Sequence, residues 1–110
     1  VNKPQSSEYR QTNDYQPVNA MTEPIAGLIP ILQHITEHVK NMAHFGLFDF
    51  IRGFWQLPLA ETCWEVLSYM TDQTIYTPTR VPQGCSGAAL YFQKTMENYF
   101  RALLYKHLLV

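Results

Sequence analysis

With 110 residues and 46% hydrophobic content, the chain is long enough for one domain with a modest core and too short for two. Its net charge of −1 and pI near 6.4 exclude the global basic field that a free-standing nucleic-acid-binding domain carries. No apolar run approaches the roughly 18 residues of a membrane helix. Cys63 and Cys85 form no close-spaced motif and no secretory leader precedes them, so they are expected as reduced thiols of an intracellular, non-secreted protein.

In chain order, residues 1–13 are polar and expected to be flexible, with residues 14–110 forming the domain. Arg10 is the first cation of interest; by itself it reads as a solvated surface charge. Asp14-Tyr15-Gln16-Pro17-Val18-Asn19 predicts a short edge strand, because Pro17 cannot donate to a ladder. Over residues 25–40, Leu28, Leu32, Ile35 and Val39 recur at helical spacing, with the regular helix starting near Pro30. That helix contains His34-Ile35-Thr36-Glu37-His38, which matches the H-x-x-E-H pattern of inverted zinc peptidases. A third ligand is not marked out, and the same histidines read equally as polar flanks of a packing helix.

The next stretch, residues 45–59, places one carboxylate at the end of an apolar run. Phe45, Leu47 and Phe48 suit a buried strand, whereas Gly53 and Pro58 interrupt the chain beyond Asp49, so Asp49 is expected where a strand gives way to a turn. A carboxylate buried there needs a cation, backbone N–H donors or a metal ion. Both an ion pair or turn cap and a metal or catalytic role stay open from the residues alone. Residues 61–64 predict a turn with partial helical character. Ser68-Tyr69-Met70 and Thr74-Ile75-Tyr76-Thr77 predict a hairpin whose turn, Thr71-Asp72-Gln73, lacks glycine. Val81-Pro82-Gln83-Gly84-Cys85-Ser86-Gly87 reads as a rigid loop with Gly84 free to adopt φ > 0 and Ser86 as the helix N-cap. Apolar Ala89, Phe92, Met96, Tyr99, Phe100, Leu103 and Leu104 then predict the longest helix, residues 88–107. The chain lacks an initiator Met and stops inside apolar Leu108-Leu109-Val110, so a fragment of a longer protein is expected.

The order of these segments resembles the reverse transcriptase domain of long-terminal-repeat retrotransposons, especially the Ty3/gypsy group and its retroviral relatives. The resemblance runs from about Arg10 to the end of the chain. Asp14 to Asn19 with Thr22 is similar to the family's Asp-Tyr-Arg-x-Leu-Asn-x-x-Thr signature. Leu47-Phe48-Asp49 through Gly53-Phe54-Trp55-Gln56-Leu57 is similar to its first palm motif, and Val81-Pro82-Gln83-Gly84 through Phe92-Gln93-Lys94-Thr95-Met96 to its second. Gln16 stands in place of the usual Arg, Gln83 gives a retrovirus-like Pro-Gln-Gly, and Ser86-Gly87-Ala88-Ala89 stands where Asn-Ala-Pro is usual.

The resemblance implies an α+β fold, the partial fingers and palm, with helices over residues 31–40 and 88–107 packed on one face of a small antiparallel sheet. It implies RNA-templated DNA synthesis with two Mg²⁺ ions in the intact parent, acting on template–primer and dNTP in a cytoplasmic particle or nucleus. No membrane is involved. Asp49 takes the part of the first metal-binding, catalytic aspartate, Phe54 that of the aromatic gate excluding a 2′-hydroxyl, and Arg10 that of a cation meeting the triphosphate. Gln83 and Gly84 line the nucleotide pocket, and the backbone at Arg52 and Gly53 faces the phosphates. The aromatic-x-Asp-Asp hairpin is expected just beyond Val110, with thumb and RNase H regions elsewhere in the polyprotein, so the 110 residues alone are expected to be inactive. A truncated or domesticated non-enzymatic module that binds nucleic acid or protein is the alternative.

Overall fold

The computed structural model describes residues 12–27 and 32–110, with side chains described except at 32–34. Arg10 and the start of the second helix thus lie outside the described residues. The first element is a helix, α1 (Gln16–Asn19), where an edge strand was expected. Pro17 decides this. At the first helical positions the missing N–H costs nothing and the fixed φ is already helical. The Asp14 Oδ1 accepts a hydrogen bond from the Gln16 amide at 2.9 Å, which turns the chain into the helix. The second helix, α2 (Leu32–Val39), matches its apolar spacing.

The stretch leading to Asp49 departs most from expectation. Residues 44–50 form no strand, and Phe45, Leu47 and Phe48 are 78%, 98% and 83% exposed. A strand buried on a sheet needs a partner strand to satisfy its backbone, and among the described residues none pairs with it. Phe50 alone turns inward. Its ring lies edge-on to Phe92 at 5.6 Å and tilted against Phe100 at 6.4 Å.

Helix α3 (Gly53–Gln56) comes next, with Phe54 edge-on to Phe92 at 5.5 Å. A 3-10 helix (Glu61–Cys63) matches the partly helical turn expected there. Strands β1 (Tyr69–Met70) and β2 (Ile75–Tyr76) pair antiparallel with Tyr69 opposite Tyr76, as the pattern predicted. Thr71 explains how the turn dispenses with glycine. Its hydroxyl accepts from the amides of Gln73 and Thr74 at 3.3 and 3.2 Å and donates to the Thr74 carbonyl at 3.0 Å. Outside the hairpin, residues 57–59 run antiparallel to 79–81 through Val81 N to Leu57 O and Leu59 N to Thr79 O, both 3.1 Å.

Helix α4 (Ala88–Tyr99) is the longest, but it is capped by Gly87 at φ 78° instead of Ser86 and stops eight residues before the expected end. A Cβ on Gly87 would meet Ile25 Cδ1 at 2.6 Å, so the close approach of Ile25 also requires glycine there. After α4 the apolar spacing continues as turns. Tyr105 adopts φ 59°, and the chain folds back so that Gln93 Nε2 donates to the Val110 carbonyl at 2.8 Å. Leu103 is exposed and Leu104 half-buried, so their spacing marks neither an unbroken helix nor a buried face.

Leu57, Val81, Ala88 and Met96 form the buried centre, with Phe54, Phe92, Phe100 and Val110 packed around it. The expected layering, two helices on one face of a sheet, is not what these contacts build. Helix α4 packs on α3, and the β1–β2 hairpin pairs only with itself among the described elements. The architecture is mixed helix and strand: four α-helices and a two-stranded antiparallel sheet among the described residues.

Candidate functional site

Asp49 sits in the exposed extended segment before α3, solvated instead of buried. Water removes the need for a compensating partner that burial would have imposed. For a divalent ion, this donor set is incomplete. Among the described residues no three His, Cys, Asp or Glu side chains converge, and Asp49 offers one oxygen ligand. Of the H-x-x-E-H residues, the His34 side chain lies outside the described residues, Glu37 is exposed, and His38 lies with its ring 5.5 Å from that of Tyr105.

Three residues past Asp49 the backbone takes a conformation few side chains adopt: Arg52, the N-cap of α3, is left-handed at φ 53°, ψ 42°. Such a residue costs about 1–3 kcal/mol and persists only where its surroundings enforce it. Gly53 is part of that enforcement. A Cβ there would lie 2.8 Å from Phe92 Cε2 and 3.2 Å from Phe50 Cβ, so the backbone of α3 approaches α4 as closely as it does only because residue 53 is glycine. Phe54 is half-buried between this contact and the core cluster.

On the other side of α3, Trp55 lines a cleft of about 440 Å³ together with Tyr69, Tyr76, Arg80, Gln83 and Gly84. Gly84 takes φ 93°, as its place in the loop required. The structure thus brings Gln83 and Gly84 together with α3, keeps Phe54 on the opposite, core-facing side, and leaves Asp49 outside the cleft lining.

Two residues without an assigned role in the sequence hold this loop and cleft in place. Asn19, at the end of α1, donates through Nδ2 to the Gly84 carbonyl at 2.8 Å and accepts through Oδ1 from the Ser86 amide at 2.7 Å. Tyr15, 5% exposed, donates its hydroxyl to the Leu67 carbonyl at 3.3 Å and receives Asn13 Nδ2 at 3.3 Å. Burial raises its pKa above the ordinary 10.0, outweighing the hydrogen bond from Asn13. Burial likewise raises the Cys85 thiol above its ordinary 9.0, and the neighbouring Cys63 adds to it. Both cysteines are free and half-buried, and both line a second, mostly apolar groove of about 510 Å³. Asn19 carries a hint in the sequence, as a member of a recognisable signature, but its partners lie 65 and 67 residues away.

Residues 1–109 match the family described as reverse transcriptase (RNA-dependent DNA polymerase). The chain belongs to that family. Among relatives, it is 32% identical over 105 residues to the Retrovirus-related Pol polyprotein from transposon 297 of Drosophila melanogaster, covering 96% of this chain and 10% of that protein. It is 26% identical over 96 residues to the corresponding polyprotein from transposon 412 of the same organism, covering 87% of the chain and 8% of the relative. Polyprotein P3 of Commelina yellow mottle virus is 25% identical over 99 residues, 90% of this chain and 5% of that protein. The chain thus spans a tenth or less of the length of these relatives. No solved structure matches it. Among the described residues no helix is long and apolar enough to cross a membrane.

Proposed function

We propose that this chain is part of an RNA-directed DNA polymerase of a Ty3/gypsy-type element, the fingers-base and palm portion that receives the incoming nucleotide. The observation that carries the reading is the family match across residues 1–109, which takes in all three sequence signatures. In the intact polyprotein, Asp49 would be one of the carboxylates that hold divalent metal ions, and such ions would supply charge neutralisation for phosphoryl transfer. Exposure suits Asp49 to that part, since it is open to ligands from other segments. The left-handed turn at Arg52 and the side-chain-free Gly53 present backbone to the phosphates, Arg10 meets the triphosphate, and Gln83 with Gly84 line the pocket around the nucleotide. By resemblance Phe54, five residues after Asp49, gates the sugar at C2′, although its ring here packs on Phe92 at the core and outside the cleft of Gln83 and Gly84.

The partners of this activity are template–primer, dNTP and the remaining palm, thumb and RNase H segments. The 110 residues by themselves do not extend a primer, because a single carboxylate leaves a metal pair without most of its protein ligands. Primer extension on an RNA template tests the reading, with the polyprotein segment that contains this chain and the chain alone side by side. Mg²⁺-dependent synthesis by the longer segment, abolished by Asp49→Asn without loss of folding, is expected, together with silence from the chain alone. Synthesis that survives Asp49→Asn would remove Asp49 from the chemistry. In the same assay Phe54→Val is expected to raise ribonucleotide relative to deoxyribonucleotide incorporation, and an unchanged ratio in an active enzyme reduces Phe54 to a packing residue.

A further inference from the structure

Two thiols have no part in phosphoryl transfer, and they share one groove. Cys63 and Cys85, the chain's only cysteines, both line the second groove of about 510 Å³. Both are free and half-buried. Cys63 ends the 3-10 helix Glu61–Cys63, and Cys85 lies in the loop between Gly84 and Gly87, packed against the core cluster. Helix α1 ties these two segments together. At one end Tyr15 donates its hydroxyl to the Leu67 carbonyl at 3.3 Å, and the Leu67 amide donates to the Cys63 carbonyl at 3.2 Å. At the other end Asn19 holds the Gly84 carbonyl and the Ser86 amide on either side of Cys85. The four residues of α1 advance only about 6 Å, so the anchors of the two cysteine segments are close neighbours. The sulfurs are near enough for charge on Cys63 to hold the Cys85 proton more tightly. The Thr62 hydroxyl lies 4.0 Å from Cys63 Sγ, placed to donate to a thiolate there.

We propose that Cys63 and Cys85 form a redox-modification site, a thiol pair that a small disulfide such as oxidised glutathione converts to an intramolecular bridge across the groove. The step is thiol–disulfide exchange. The Cys63 thiolate attacks one sulfur of glutathione disulfide, the glutathione S–S bond breaks, and one glutathione leaves as its thiolate. The Cys85 thiolate then attacks the Cys63 sulfur of the mixed disulfide and releases the second glutathione. Two electrons pass from the cysteine sulfurs to glutathione, and the two cysteine protons end on the two glutathione thiols. Burial pushes the Cys85 thiol above its ordinary 9.0, so the second step is expected to accelerate as the pH rises. The consequence for function rests on the polymerase reading: Pro82 lines both this groove and the cleft of Gln83 and Gly84, so a bridge at Cys85 fixes that loop from its other side. The test does not depend on that reading.

The test is incubation of the folded full chain, at low concentration and about pH 8, with glutathione disulfide. Remaining thiols are then blocked with iodoacetamide, and the intact chain and its tryptic peptides are weighed by mass spectrometry. Trypsin separates the two cysteines, because Arg80 lies between them. The expected result is a monomer lighter by two hydrogens, with both alkylatable thiols lost and peptides 53–80 and 81–94 joined until dithiothreitol is added. The yield is expected not to change on dilution, as an intramolecular reaction requires. Cys85→Ser lacks the resolving thiol and is expected to stop at the glutathione adduct on Cys63. A wild type that keeps both thiols, stops at glutathione adducts, bridges only between two chains or bridges only in urea overturns the proposal. None of these outcomes touches Asp49, so the polymerase reading stands or falls separately, by primer extension.

Discussion

Tyr15 is the residue whose environment has the clearest thermodynamic consequence. Its hydroxyl is buried and donates to the Leu67 carbonyl, so the folded protein holds the phenolic proton more tightly than the unfolded chain does. A pKa raised in the folded state means that the unfolded chain loses its proton first. The associated stability is complete below pH 10 and declines as pH rises from there through the folded-state value. Cys85 has the same sign, beginning near pH 9. Urea denaturation at pH 7 and at alkaline pH checks this: the wild type is expected to lose more stability between the two than Tyr15→Phe does. At pH 7 the substitution should cost about 1 kcal/mol, the net value of one hydrogen bond. An equal alkaline loss in both proteins would assign the effect to other groups.

At the scale of elements, the loop of residues 83–86 is positioned by a helix near the other end of the chain. Asn19 makes two hydrogen bonds to it, and a carboxamide does this with one side chain because it carries donor and acceptor together. Asn19→Ala is expected to cost about 1–2 kcal/mol, two partly solvated hydrogen bonds. Amide hydrogen exchange at Ser86 should accelerate in step, since that amide loses its acceptor. Asn19→Asp keeps the acceptor for Ser86 and loses the donor to Gly84, so it should protect the Ser86 amide while still loosening the loop. Unchanged exchange at Ser86 in Asn19→Ala would show that the loop is held by its own backbone. Gly53 illustrates the same dependence of one element on another, since its lack of a side chain is what lets α3 approach the Phe92 ring.

Across the whole molecule, the Cα radius of gyration is 17.2 Å, whereas a closed domain of this length has about 13 Å. Part of the difference is the extended segment before α3. The apolar composition of residues 108–110 predicts an adhesive edge there, but these residues are half-buried and fold back on α4. The exposed apolar surface lies instead at Phe45, Leu47, Phe48 and Ile51. Extended backbone with free N–H and C=O groups and apolar side chains recruits other chains. The isolated 110 residues are therefore expected to self-associate as concentration rises. In sedimentation, Leu47→Lys with Phe48→Lys should return the chain to monomer, and a monomeric wild type would refute this.

Local rules in the sequence determined the hairpin, the 3-10 turn, the positive φ of Gly84 and the helical course of α2 up to Val39, because each depends on residues within a few positions of one another. The signatures around Asp14, Asp49 and Gln83 also carried the family, since they record a pattern of residue types and need no coordinates. Tertiary structure alone decided the rest. Pro17 is compatible with an edge strand or a helix start, and among the described residues no strand pairs with residues 14–19, which leaves the helix. The apolar run before Asp49 has strand composition, yet a strand needs a partner for its backbone, and composition does not supply one. The apolar spacing after Tyr99 suits a longer helix, yet the chain reverses near Tyr105, and the Val110 carbonyl meets Gln93 on α4. Asn19 meeting Gly84, and Trp55 meeting Tyr76 and Arg80 around one cleft, are contacts between distant positions that the folded chain alone brings together.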